Sequence, residues 1–119
     1  MENGLMPPAV PAKLRELLQD YPEYIDRLQG ALAPFAVPKL RLQPFDDAVW
    51  ALESVLDGFV DEANYELDAA QSTGGVEEIE RAKEKRRLML LAQSRGAGLS
   101  GRSLQGLWEY FQQNKAAYE

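Results

Sequence analysis

Residues 45–70 read FDDAVWALESVLDGFVDEANYELDAA. Phe45, Val49, Leu52, Leu56, Phe59, Ala63 and Ala70 recur at steps that alternate mostly between four and three, with Leu67 close to the missing step. That period describes an α-helix burying one continuous seam. The same stretch carries Asp46, Asp47, Glu53, Asp57, Asp61, Glu62, Glu66 and Asp68, with no Lys or Arg. Thr73-Gly74-Gly75 interrupts it, and the following helical pattern holds Arg81, Lys83, Lys85, Arg86 and Arg87. An acidic helix, a glycine turn and a basic helix predict a long antiparallel hairpin, about 45–72 and 76–95.

With the turn centred on Gly74-Gly75, the numbers of facing residues add to about 149, and apolar and charged positions then align together. Ala70 faces Ile79, Leu67 faces Ala82, and Phe59 faces Met89 or Leu90. Glu66 is expected near Lys83, and Glu62 near Arg86 or Arg87. Exposed ion pairs of this kind stabilise by about 0.2–1 kcal/mol each, so they set register while the apolar seam supplies the free energy.

Outward from the hairpin the pattern stays helical. Leu14, Leu17, Leu18 and Tyr21 mark a short first helix after Pro11, and Pro22 opens a second through Tyr24, Ile25, Leu28, Ala31 and Leu32. Pro34 stops it. From Pro34 to Pro44 three prolines impose an extended strap, with Val37, Leu40 and Leu42 separated by Lys39 and Arg41. The strap either packs over the hairpin or presents these three apolar residues to a partner. In the second half of the basic helix, Leu88-Met89-Leu90-Leu91-Ala92 is apolar all round, which implies enclosure by neighbouring helices or by a partner such as a second copy. Gly96, Gly98 and Gly101 predict a loose loop. A last helix begins near Ser103 and presents Leu104, Leu107, Trp108 and Phe111 to the core. The expectation is an all-α helical bundle: the hairpin, two short N-terminal helices and one C-terminal helix, in a single domain over 11–119. Residues 1–10, with Pro7 and Pro8, read as a flexible tail.

The chain has 119 residues, 45% of them apolar and 27% charged, ordinary for a folded domain with its own core. It contains no Cys and no His, which removes thiolate and imidazole metal ligands, the Cys nucleophile and the commonest general base. Net charge is −6, unfavourable toward a phosphate backbone unless basic residues cluster. No run is long and apolar enough to span a membrane, and the N-terminus lacks the pattern of a signal peptide. The expected setting is therefore soluble and cytoplasmic, with no cofactor and no membrane partner.

Three constellations bear on function. Glu62 and Glu66 stand four apart on one helix, facing Glu77, Glu80 and Glu84. Helical NTP pyrophosphohydrolases hold Mg²⁺ or Mn²⁺ between carboxylates on adjacent helices, and Glu77 and Glu80 have the three-residue spacing of such a pair. No matching second pair follows, and a basic stretch opposite would neutralise Glu62 and Glu66, so they read as ion-pair candidates with Lys83, Arg86 and Arg87. The basic run 81–87 is the second constellation. Nucleic-acid binding would need it exposed on one side with stacking aromatics, and its helix has none. The third is the acidic stripe Glu53, Asp57, Asp61 and Asp68, for which no full set of internal partners is evident. Trp50, one step off the seam beside Val49, adds an aromatic of the kind enriched in interface hot spots. The leading expectation is a non-catalytic protein–protein interaction module: an adaptor, an inhibitor or immunity-type factor, or a regulatory subunit. It would bind another protein, or itself, through Trp50, Glu53, Asp57, Asp61 and Asp68 or through Val37, Leu40 and Leu42. A nucleic-acid-associated protein using the basic helix, and a carboxylate–metal hydrolase, are the alternatives.

Overall fold

The computed structural model of the protein describes residues 5–119. In chain order it contains α1 (Ala12–Leu17), α2 (Pro22–Leu32), a 3-10 turn (Ala33–Ala36), α3 (Pro44–Thr73), α4 (Val76–Gln93), α5 (Gln105–Gln113) and a second 3-10 turn (Lys115–Tyr118). No strand occurs among the described residues, and the architecture is an all-α bundle built on the antiparallel pair α3 and α4. α3 begins with Pro44 at its first position, where no N–H is required, and carries Asp46 and Asp47 in the first turn, against the positive end of the helix dipole. It stops at Gly74, whose N–H donates to the Ala70 carbonyl at 2.7 Å. A Cβ on Gly74 would lie 2.8 Å from that same oxygen, so the turn needs glycine for close approach; its φ is an ordinary −91°.

The seam read from the sequence is the core. Ala48, Val49, Leu52, Leu56, Phe59 and Ala63 of α3 are buried, with Met89 and Ala92 of α4 beneath them. Leu14 and Leu18 enter from α1 and its C-terminal edge, Tyr24, Leu28 and Leu32 from α2, and Leu107 and Phe111 from α5. Each large side chain buried in this way stabilises by about 1.5–3 kcal/mol. The hairpin register also holds. The contacts Glu66–Lys85, Asn64–Arg86, Asp57–Gln93 and Glu53–Arg95 all fall within two positions of the predicted pairing. The apolar stretch at the end of α4 is largely enclosed by the chain itself: Met89 and Ala92 are fully buried, Leu88 and Leu91 half-buried, and α1 packs against the helix, while Leu90 faces outward.

Two segments expected to be loose make specific contacts. Met1–Gly4 lie outside the described residues, but Leu5–Pro11 is extended and docked. The Leu5 N–H donates to the Ala36 carbonyl at 2.8 Å, Pro8 and Val10 are buried, and Gln29 of α2 bridges to the Pro8 carbonyl and the Val10 N–H. Prolines exclude helix there, but they also lower the entropy lost when an extended segment is fixed. The glycine-rich stretch after α4 is equally compact. Leu99 is buried, the Gly98 N–H reaches the Leu91 carbonyl at 3.0 Å, and the Ser103 hydroxyl donates to the Gly98 carbonyl at 2.6 Å. Ser103 is thus a loop clasp and Leu104 occupies the N-cap position of α5.

The far half of the hairpin differs from the near half. Between Ala63 on α3 and Met89 on α4 no residue is buried. α2 packs across the near half only, so beyond Tyr21 the two helices run on without a third layer. This projection accounts for the elongated outline of 54 × 29 × 21 Å.

Candidate functional site

The carboxylate pair of α3 is closed by cations, though not the expected ones. Glu62 receives both arms of Arg27 from α2, at 3.1 and 2.8 Å, and lies 3.4 Å from the Tyr24 hydroxyl. Glu66 receives the Lys85 ammonium at 2.8 and 3.0 Å. The cause is an aromatic stack between α2 and the hairpin. Tyr24 lies parallel to Phe59 with centroids 4.3 Å apart, and Tyr21 stacks on Tyr24 at 5.7 Å. Arg27 sits 4.7 Å from the Phe59 centroid and Lys85 4.8 Å from that of Tyr24, so both cations are positioned over ring faces and directed to the nearest carboxylate. The Arg27 hydrogen bond is the main reason the Glu62 carboxyl lies below its ordinary range. Burial works against the Lys85 charge, yet its contacts with Glu66 and Tyr24 together raise its pKa.

The pairings of Glu62 with Arg86 or Arg87, and of Glu66 with Lys83, are therefore corrected. Lys83 and Arg87 turn outward and pair along their own helix, with Glu80 at 3.5 Å and Glu84 at 2.6 Å. Arg86 turns inward, its Nε donating to Asn64 Oδ1 at 2.5 Å. Proximity one turn away on the same helix outcompetes a partner across the groove. Among the described residues no three metal-ligating side chains gather at one point. No helix among them is long and apolar enough to cross a membrane.

The outer face of α3 is arranged differently. At 100° per residue, Trp50, Asp57, Asp61 and Asp68 fall within about 20° of one line, opposite the buried seam and about 27 Å long. Trp50 is 72% exposed, more than its position beside Val49 implied. Asp57, Asp61 and Asp68 are exposed and enter no ion pair among the described residues, although Gln93 donates to Asp57 at 3.4 Å. Glu53 leaves this line for the flank, where it pairs with Arg95. Tyr65, 77% exposed, adds a second aromatic near the far end. Three of the four stripe carboxylates thus share one exposed face with Trp50, and the fourth, Glu53, is engaged internally.

The strap presents a second face. Phe35 is buried, and the Arg41 guanidinium lies 4.4 Å from its ring centroid and 3.6 Å from Asp47. The Arg41 N–H donates to the Tyr118 carbonyl at 2.8 Å, and the buried Tyr118 hydroxyl donates to the Phe35 carbonyl at 2.6 Å. These contacts fix the backbone and leave Val37, Leu40 and Leu42 outward, at 58%, 70% and 92% exposure. Beside them Phe45 meets Trp108 edge-on at 5.2 Å, along a cleft of about 300 Å³ whose walls include Leu42, Phe111 and Tyr118. Trp108 was expected in the core but is 45% exposed. It sits one residue past Leu107 on α5, which turns it from the core to the cleft. The sequence signal for Arg27, Arg41 and Tyr118 was weak because each acts through a ring or carbonyl supplied by a distant segment. In comparisons with protein-family models, with curated proteins and with solved structures, nothing matched the chain.

Proposed function

We propose that the protein is a non-catalytic protein-interaction module that docks a partner along the outer face of α3. The observation that carries this reading is the alignment of Trp50 with Asp57, Asp61 and Asp68 on one exposed helix face. A large aromatic held outward forfeits the burial that stabilises the rest of the chain, and such residues concentrate binding energy when a partner covers them. Unpaired carboxylates beside it favour a basic counter-surface and speed its approach. The exposed strap residues Val37, Leu40 and Leu42 extend the apolar surface available at the same end of α3. The closure of Glu62 and Glu66 by Arg27 and Lys85 supports a structural role for that pair, since their oxygens already have donors.

The test is affinity capture from the native host at moderate salt, with the wild-type chain beside Trp50→Ala and the Asp57→Lys, Asp61→Lys double variant. A stoichiometric protein should be retained by the wild type and lost by about tenfold or more with either variant, at unchanged melting temperature. Equal retention by all three chains, or recovery of nothing but salt-labile nucleic acid, would defeat the proposal.

A further inference from the structure

We infer that the projecting end of the hairpin is a self-association surface, on which a second copy of this chain docks about a two-fold axis and completes a four-helix bundle. The near half of α3 and α4 is roofed by α2, which begins at Pro22. At that point the groove between the two helices continues uncovered, with Tyr21 at its base. Tyr65, Ala69, Ala70, Glu78, Arg81 and Ala82 line it, with Thr73 and the already closed Glu66–Lys85 ion pair, over an open volume of about 470 Å³. The surface is thus a continuation of an interface the molecule already makes with a helix. Its floor is small and apolar, which lets helix backbones approach closely, and Tyr65 stands beside it largely exposed.

The charges on this groove identify the occupant. α4 carries three acid–base pairs spaced three apart: Glu78/Arg81, Glu80/Lys83 and Glu84/Arg87. The two that face away from the groove close as intrahelical ion pairs, at 3.5 and 2.6 Å. Glu78 and Arg81, which line the groove, form no ion pair with each other or with any other described residue. In a two-fold contact residue i of one copy meets residue j of the other, and the reverse. Glu78 near the tip and Arg81 one turn further in would then pair reciprocally across the axis. A foreign helix would need one sign of charge opposite each, whereas a second copy supplies both by symmetry. The contact spans about 15 Å of each helix, which places it with small, transient interfaces.

The experiment is sedimentation equilibrium of the full chain from about 10 μM to about 1 mM, the range in which small interfaces associate. The wild type should show reversible dimerisation. Arg81→Glu and Glu78→Arg should each weaken it by about tenfold or more through like-charge contacts. A one-to-one mixture of the two variants should form a heterodimer at wild-type strength, because every facing pair is again opposite in sign. Ala69→Lys, at an exposed position on the groove floor, should abolish association with the circular dichroism unchanged. A wild type that stays monomeric throughout would overturn the inference. So would a dimer that all three single variants leave intact, or a mixture no stronger than its components.

Discussion

At the scale of single residues, the most constrained position is Gly98. A Cβ there would lie 2.0 Å from the Ala92 carbonyl oxygen and 2.6 Å from its carbon, both backbone atoms of α4 that cannot rotate away. Gly98→Ala should therefore destabilise at or above the top of the usual range for overpacking, about 1–3 kcal/mol, whereas Gly101→Ala, with open space around it, should cost little; urea melts of the two variants compare them directly. Glu62 gives a pH-dependent counterpart. Its folded carboxyl lies below the ordinary 4.5 because Arg27 holds it ionised, so its contribution is present above that value and is lost as the pH falls through the depressed folded pKa. Glu62→Gln should cost about 0.5–1 kcal/mol at pH 7, the modest scale of a pair that remains open to solvent. The difference from wild type should vanish in acid. A difference that persists once acid has protonated the carboxyl would assign the effect to packing instead of charge.

At the scale of elements, α3 is one continuous helix with two environments. Its first half is covered by α2, α4 and α5; its second touches α4 and little else. In a helix without tertiary burial, propensity alone gives marginal stability. Native-state hydrogen exchange on dilute monomer should show amides of residues 48–63 protected up to the global free energy and amides of 66–73 and 77–84 exchanging through a smaller local opening. Uniform protection along α3 would contradict this division. The helices and their register were legible because the apolar period and the charge pattern of 45–93 gave the same alignment. The ion-pair partners were less legible. Arg27 and Lys85 are placed by the faces of Tyr24 and Phe59, and no spacing along one helix encodes which ring a cation from another helix will meet. Trp50 was placed near the boundary of the seam, but a single helical step decided between its edge and the free face.

At the scale of the whole molecule, the segments farthest apart in sequence meet around the strap. The Leu5 N–H donates to Ala36, the Tyr110 hydroxyl donates to the Met6 carbonyl, and Tyr118 contacts both Phe35 and Arg41. This convergence was not legible, because prolines at 7 and 8 and a polar last stretch look locally like loose ends, and only tertiary contact shows what they rest on. It also gives the fold an order in time. During synthesis the hairpin can close as soon as α4 has emerged, since its contacts are near in sequence. The segment 5–11 can meet Gln29 and Ala36 as early, but its further hold on Tyr110 waits until α5 has been made. A ribosome stalled after α4 has emerged and before α5 is made would therefore display a formed hairpin whose leading edge still lacks one of its fastenings.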